Sequence, residues 1–256
     1  MPTSAGGGTL STSPPGDEPL DSYTYDPKDP VATLGGNTLI IPRGVADQGA
    51  VEDRKDVLVY TSDAIERDFE ITGPIKVHLF ASSSAVDTDF TAKLIDVHPS
   101  GYAVNVCQGI IRARYRESLE SPKLLTPLKV EEFNIDMWST SNLFREGHCI
   151  RLEVSSSNFP HFDRNPNTGH DFGADDEVQI ARQEVHHVGQ DQLLVLLLVV
   201  QAQFQHLQQR GCERTFLEVL RHRCVYGLAV AQDLLQVGTR QQSALRPRRL
   251  HLRKPG

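Results

Sequence analysis

The chain has 256 residues, of which 39% are hydrophobic, so it is long enough to bury a substantial core in one or two domains. Its net charge of −7 is unevenly divided: residues 1–183 carry 16 basic and 28 acidic side chains, whereas residues 184–256 carry 10 basic and 5 acidic. An acidic body disfavours nucleic acid as a partner. The apolar run at 193–200 has eight residues, against the ~20 that a membrane-spanning helix needs, so we also predict no membrane partner.

Four cysteines occur in the sequence, at positions 107, 149, 212 and 224. Their spacing matches no metal-binding motif, and no leader of the secretory type opens the sequence. We therefore expect reduced thiols, no cofactor and a cytoplasmic location.

Residues 1–55 are rich in amino acids that interrupt regular structure, as at 6–8, 13–16 and 26–30. Proline fixes φ and lacks an N–H, and glycine costs backbone entropy. We predict an extended linker or arm here. It is either disordered in isolation or lies across a partner domain.

Residues 56–187 alternate apolar and polar side chains with a period of two. The clearest runs are at 57–60, 75–80, 132–137 and 150–155, and residues 183–187 fit a final strand. This period is typical of half-buried antiparallel strands, and Gly-, Pro- and Ser-containing turns separate the runs. Repeated strands without amphipathic helices predict an all-β fold, a two-layer antiparallel sandwich.

Residues 188–256 differ from the rest of the chain. The segment from 184 onward holds eleven Gln, nine Arg and one Lys, and the strand alternation is lost. We predict an irregular or partly helical, poorly ordered tail. A shifted reading frame near residue 188 and a genuine variable extension both explain it, and nucleic-acid binding through the arginines is a third interpretation.

No residues are predicted to be catalytic. A serine nucleophile in an α/β-hydrolase requires the pattern G-x-S-x-G, which is absent from the sequence. The serines at 82–84 and 155–157 are interpreted as hydrogen-bonding groups at strand ends.

No metal site is predicted either. The acidic pair Asp87 and Asp89 and the acidic stretch at 171–177 could bind Ca²⁺, but turn capping and a solvated loop are the preferred interpretations. His186 and His187 are adjacent, so on a strand they point to opposite faces.

Arg112, Arg114 and Arg116 are spaced to share one face of a strand. Ile111, Ala113 and Tyr115 would lie on the other face. Three cations in a row repel unless anions meet them. Two hypotheses stay open: pairing within the sheet, with Glu131, Asp136 or Glu153, and docking onto carboxylates of a partner domain.

Trp138 is the only tryptophan. It follows an alternating apolar run, which favours packing in the core or between domains. An exposed stacking platform for a sugar is the alternative.

Several motifs together resemble one hydrolase family. They are Asp87-Thr-Asp-Phe90, Arg112-Ala-Arg-Tyr-Arg116, Trp138-Ser-Thr-Ser-Asn-Leu-Phe-Arg-Glu-Gly-His148, Ser155-Ser-Ser-Asn-Phe-Pro160 and Arg164-Asn-Pro-Asn-Thr-Gly169. The combination resembles the C-terminal domain of the X-prolyl dipeptidyl-peptidase and cocaine-esterase (CocE/NonD) serine hydrolases, over about residues 8–187. The resemblance implies a jelly-roll, galactose-binding-like β-sandwich.

In that family the sandwich is not catalytic, because the triad belongs to an upstream α/β-hydrolase domain. The resemblance therefore implies an accessory domain of an acyl esterase or X-Pro dipeptidyl-peptidase, truncated, without a triad and inactive alone. The implied partner is the α/β-hydrolase catalytic domain, with a homo-oligomer as a further option. A stand-alone carbohydrate-binding jelly roll is the alternative function.

The resemblance also assigns the loop 159–169 to domain contact or to the mouth of a substrate cleft. The predicted domain-interface residues are Arg112, Arg114, Arg116, Trp138, Phe159, Arg164 and Asn165.

Overall fold

The computed structural model describes residues 7–11, 19–39, 42–171, 173–174, 176–187, 195–198 and 248–253. The strands in these residues are β1 (Gly7–Ser11), β2 (Asp21–Tyr25), β3 (Leu58–Thr61), β4 (Phe69–Ser83), β5 (Asp89–Val97), β6 (Ala103–Arg112), β7 (Glu131–Phe144), β8 (Cys149–Ser155), β9 (Ala181–Val185), β10 (Val195–Leu198) and β11 (Arg248–Arg253). A short helix, α1 (Gly49–Glu52), precedes β3, and a 3₁₀ turn (Ala113–Tyr115) follows β6. No helix in this part of the chain is long and apolar enough to cross a membrane.

The strands form two sheets that face each other. Sheet A has the order β1-β3-β8-β5-β6, in which β1 runs parallel to β3 and the other neighbours are antiparallel. Sheet B has the order β2-β9-β4-β7 and is antiparallel. The short strands β10 and β11 pair with each other and connect β4 of sheet B to β1 of sheet A. The predicted two-layer, mostly antiparallel sandwich is confirmed.

One main core lies between the sheets. Sheet B contributes Leu79 of β4 and Phe133 and Ile135 of β7, while sheet A contributes Phe90 and Leu94 of β5, and all five are fully buried. The rings of Phe90 and Phe133 meet across the core with centroids 4.7 Å apart. Each such side chain stabilises the fold by about 1.5–3 kcal/mol through removal from water. The alternation of apolar and polar residues along the strands therefore directs one face of each sheet into this core.

The two sheets approach closely at Gly109 of β6. A Cβ atom at this position would overlap the backbone carbonyl of Asp136 in β7 and lie 3.1 Å from Cγ2 of Ile135. Any larger residue would therefore push the sheets apart. The absence of a side chain at Gly109 sets the spacing of the sandwich here.

Part of the predicted N-terminal arm belongs to the sandwich. β2 pairs along its whole length with β9, from Asp21 opposite Val185 to Tyr25 opposite Ala181. Tyr23 and Tyr25 are 4% and 0% exposed, so they are core residues. The sequence interpretation overlooked this strand. The predicted domain boundary at residue 55 stays a prediction.

The predicted tail at 188–256 lies outside the described residues, apart from β10 and β11. These two segments are strands, not the helices suggested for parts of the tail. The prediction of a poorly ordered tail falls on residues that the structure does not describe.

Candidate functional site

The three arginines do not form a ladder on one strand face, and that prediction is wrong. β6 ends at Arg112, and the chain then enters the 3₁₀ turn, so Arg114 lies in the turn and Arg116 follows it. A 3₁₀ turn has about three residues per turn, in contrast to the two-residue repeat of a strand. Each arginine therefore points in its own direction and meets its own partners.

Arg112 and Arg114 pair with two buried carboxylates. Arg112 donates two hydrogen bonds to Asp89, at 2.8 and 2.9 Å, and one to the exposed Asp163 at 3.1 Å. Arg114 donates to Asp87 through its side chain at 2.9 Å and through its backbone N–H at 3.0 Å. Bidentate and charge-assisted contacts of this kind are the strong class of hydrogen bond.

Asn165 links these two ion pairs. Its Nδ2 donates to Asp87 and to Asp89, both at 2.9 Å, and its Oδ1 accepts the backbone N–H of Asn167. We call Asp87, Asp89, Arg112, Arg114 and Asn165 the Asn165 cluster. It joins the start of β5, the end of β6 and the loop after β8 into one polar unit.

Asp89 is almost completely buried within this cluster. Burial raises the pKa of Asp89 above its ordinary value, although Arg112 and Asn165 act in the opposite direction. Asp87 and Asp89 already have guanidinium partners and Asp87 caps the turn at Arg114, which agrees with the preferred turn-capping interpretation. The positive charge beside these two carboxylates comes from Arg112 and Arg114, whereas the Ca²⁺ hypothesis assigned it to a metal ion.

Arg116 holds the loop between the 3₁₀ turn and β7. It donates to the carbonyl of Lys123 at 2.7 Å and to that of Ala113 at 3.1 Å, and it lies 3.6 Å from Glu131. Pairing with Glu131 was one of the predicted contacts within the sheet. The other two suggested acids have different partners, because Glu153 pairs with Lys93 and Asp136 accepts a backbone N–H.

The loop 159–169 lies against the N-terminal segment. Arg164 donates to the carbonyl of Pro27 at 3.1 Å, and Phe159 exchanges backbone hydrogen bonds with Val31 and Thr33. Phe159 is 42% exposed, whereas Asn165 is 1% exposed. Of the predicted interface residues in this loop, Phe159 presents a large apolar surface, while the side chain of Asn165 is enclosed inside the domain.

Trp138 is the large aromatic side chain that β7 presents to solvent, at 71% exposure. Packing in the core of this domain, one of the predicted roles, is therefore excluded. The backbone at Trp138 has φ of 65°, and its N–H donates to Oδ1 of Asp136 at 2.8 Å, next to a register shift between β4 and β7. A bulky residue in the left-handed region is strained, and such positions cluster at functional sites.

The buried serines form structural hydrogen bonds, as predicted. Ser155 donates to the carbonyl of Asp56, and Ser156 bonds to the Tyr23 hydroxyl. Burial raises the pKa of Tyr23, while the bond to Ser156 acts in the opposite direction.

Ser82, Glu184 and His186 also meet, but not as a catalytic triad. Ser82 lies 3.3 Å and Glu184 lies 3.9 Å from the same ring nitrogen of His186. A triad requires the carboxylate on the opposite nitrogen, where it orients the base. The neighbouring His187 turns inward to Asp21, so the two adjacent histidines do not converge.

The sequence interpretation missed one group of side chains of the types that bind metal ions. Asp96, His98 and His148 each offer a ligand atom, and these atoms lie within 4.8 Å of one another. The sequence signal was the short spacing Asp-x-His at the end of β5, but His148 is 50 residues further along the chain. Only the antiparallel pairing of β5 with β8 brings the third residue to the other two.

Together, the described residues form a two-layer β-sandwich with internal polar clusters, and no catalytic triad is found among them. A family model described as the X-Pro dipeptidyl-peptidase C-terminal non-catalytic domain matches residues 2–195. The chain belongs to this family, the non-catalytic C-terminal domain of CocE/NonD-type hydrolases.

Known relatives agree with this assignment. Cocaine esterase of Rhodococcus sp. (strain MB1 Bresler) is 54% identical over 169 residues, which are 65% of this chain and 29% of that protein. An aminopeptidase from a marine sediment archaeon, Thaumarchaeota archaeon, has a TM-score of 0.63 at 30% identity and covers 71% of this chain and 34% of its own. An α-amino acid ester hydrolase has a TM-score of 0.64 at 33% identity, and the match covers 72% of this chain and 33% of that chain. The chain thus spans about a third of the length of these relatives.

Proposed function

We propose that this chain is the accessory sandwich of a serine hydrolase, packing beside an α/β-hydrolase catalytic domain and helping to wall its substrate cleft. In the relatives the domain accompanies such a catalytic domain. The observation that carries the docking role is Trp138, a large aromatic side chain that is 71% exposed on a strained backbone. Exposed aromatics of this kind are frequent anchors of interfaces.

The substrate class follows from the names of the relatives. A cocaine esterase, an aminopeptidase and an α-amino acid ester hydrolase cleave ester or amide bonds at an acyl group. We therefore assign the whole enzyme to acyl ester or amide hydrolysis, with release of X-Pro dipeptides as one form of it. A cytoplasmic location belongs to the same proposal, and the free thiols of Cys107 and Cys149 support it.

The docking residues that we assign are Trp138 and Phe159, the predicted interface residues with exposed aromatic side chains. Four of the other predicted interface residues are occupied inside the domain: Arg112, Arg114 and Asn165 by Asp87 and Asp89, and Arg116 by backbone carbonyls. The remaining one, Arg164, is exposed and donates to the carbonyl of Pro27. The contribution of Arg112 and Arg114 to docking is indirect, because the cluster they form with Asn165 holds the loop that carries Phe159.

The test is a chimera of the Rhodococcus cocaine esterase in which this chain replaces the matching segment. We expect the chimera to hydrolyse a nitrophenyl acyl ester, and this chain alone to give no release above blank. Trp138→Ala in the chimera should lower the melting temperature and the esterase rate. Tyr102→Ala, which removes a half-exposed aromatic from the β5–β6 turn, is the matched control and should change neither.

Two results would contradict the proposal. A serine-inhibitor-sensitive rate from this chain alone would show that it carries its own catalytic group. A chimera that folds, judged by circular dichroism, but has no esterase activity would show that this sandwich does not serve a hydrolase domain.

The same exposed Trp138 favours a second candidate, a carbohydrate-binding module, because sugars stack on exposed indole rings. Two results together would favour this candidate over the first: an inactive chimera, and glycan-array binding by this chain that is lost in Trp138→Ala.

A further inference from the structure

Asp96, His98 and His148 lie at one end of the inner face of sheet A. β5 and β8 are antiparallel neighbours, with Leu94 opposite Leu152 and Asp96 opposite Ile150. Directly opposed residues share a face, so Asp96 faces the same side as the core residue Ile150. His98 continues the alternation of β5 and His148 that of β8, which brings both imidazoles to the same end of the core.

The three side chains already lie close together. Nδ1 of His148 is 2.8 Å from Oδ1 of Asp96, and the rings of His98 and His148 have centroids 4.4 Å apart. The side chains of His148 and Asp96 are 13% and 9% exposed, so they are mostly shielded from water. Two imidazole nitrogens and one carboxylate oxygen are the donor set that Zn²⁺ and neighbouring divalent transition metals prefer.

The backbone on both sides of the group is fixed by hydrogen bonds. The N–H of His98 donates to the carbonyl of Tyr102 and its carbonyl accepts from Gly101, both at 2.9 Å. The N–H of His148 donates to Arg145, and its carbonyl accepts from Ile65 at 2.7 Å. Ligand atoms within 4.8 Å of one another therefore need only side-chain rotation to meet a common ion.

Cys149, although adjacent to His148, is not a ligand in this arrangement. It packs on the other face of sheet A, with Ile95, Val97 and Ala103. Three protein ligands then leave a coordination position for water, as in open zinc sites.

We propose that Asp96, His98 and His148 bind one divalent transition metal ion of the zinc type, which cross-links the β5–β6 turn to the start of β8. This site shares no residue with the docking residues Trp138 and Phe159, and the proposal does not depend on the hydrolase function. Its expected effect is to raise the melting temperature, because an ion that binds the folded state and not the unfolded one stabilises the fold.

The test uses the full chain after treatment with a chelator. We expect isothermal titration with ZnCl₂ to show one site that is lost in His98→Ala, with at least about tenfold weaker binding in Asp96→Asn. CoCl₂ should give visible absorption bands of a low-symmetry site in the original chain and not in His98→Ala. His98→Ala is the primary variant because the contacts found for this side chain are ring contacts with Tyr102 and His148.

His186→Ala is the matched control, since it removes a histidine elsewhere on the domain and should leave zinc binding unchanged. Circular dichroism without metal checks that each variant folds, and His148→Ala serves as a second variant. Zinc should raise the melting temperature of the original chain and of His186→Ala, but not that of His98→Ala. Equal zinc binding by the original chain and His98→Ala would overturn the proposal, as would the absence of binding at millimolar zinc.

Discussion

Nε2 of His187 lies 2.7 Å from Oδ2 of Asp21, and both side chains are almost completely enclosed. The hydroxyl of Tyr60 donates to the same carboxylate oxygen at 3.0 Å. Burial, followed by the charge of Asp21, raises the pKa of Tyr60 well above its ordinary value. Through this contact the first strand of sheet B, the strand β3 of sheet A and the second residue after β9 form one buried polar group.

Asp21→Ala should therefore destabilise the domain strongly. The substitution leaves the imidazole of His187 and the hydroxyl of Tyr60 without this acceptor, and removing one partner of a buried pair costs about 3 kcal/mol or more. Urea denaturation followed by circular dichroism measures the change. Asp53→Ala, at an exposed aspartate, is the control, and equal stability of the two variants would contradict the expectation.

Gly109→Ala should destabilise the sandwich by about 2 kcal/mol, because the new methyl group overlaps the backbone of β7 and the tightly packed sheets must separate. Thermal unfolding measures the effect. Gly49→Ala is the matched control, since a Cβ there meets Asp47 at 3.5 Å, an ordinary contact distance. A Gly109→Ala protein as stable as Gly49→Ala would show that the sheets tolerate a wider spacing.

Asn165→Asp should loosen the loop after β8. The change replaces a donor to Asp87 and Asp89 with a third carboxylate, so hydrogen bonds are lost and like charges meet in a buried place. We expect a loss of about 3 kcal/mol and faster amide exchange over residues 158–169. The same substitution at Asn134, on the exposed face of β7, should alter neither quantity. Unchanged exchange in Asn165→Asp would argue that the cluster does not hold the loop.

Glu153 should make stability fall as the pH rises through the weakly acidic range. Burial raises the pKa of Glu153 to about 7; Lys93, at 3.3 Å, lowers it and Glu52 raises it, and burial is the dominant cause. Between the ordinary carboxyl pKa and about 7 the folded state holds a proton that the unfolded state has released. Stability contributed by this proton is complete below that window and is lost above it.

Glu153→Gln tests this prediction, because an amide does not titrate. Urea denaturation at pH 5, 6, 7 and 8 should show a smaller decline in the free energy of unfolding than in the original chain. Glu66→Gln, at an exposed glutamate, should retain the original decline. A steeper decline in Glu153→Gln would mean that the ion pair with Lys93, and not burial, controls this carboxyl group.

The strands with an apolar and a polar face were predictable from the sequence, and those without this contrast were not. β7 alternates buried and exposed side chains from Glu132 to Met137, so its period is visible. β5 is buried along its whole length, since polar residues such as Lys93 and Asp96 have buried partners. β2 was overlooked because prolines surround it.

The interface prediction was limited by local geometry. The spacing of Arg112, Arg114 and Arg116 predicted one shared face, but the 3₁₀ turn at Ala113 ends the alternation. No local signal in the sequence marks such a turn. The exposure of Trp138 depends on a positive φ beside a register shift, and the Asp96, His98 and His148 group depends on strand pairing. Both are properties of the tertiary structure.

The pairing of β2 with β9 has a consequence for how the domain is built into larger proteins. Asp21 lies directly opposite Val185, so the region from β2 to β9 begins and ends at neighbouring positions, about 5 Å apart between Cα atoms. A unit with adjacent ends can be appended to another fold, or circularly permuted through a short peptide, with little rearrangement. Transfer of this region between proteins would keep the main core complete only if β1 moved with it, because Leu10 of β1 is buried in that core.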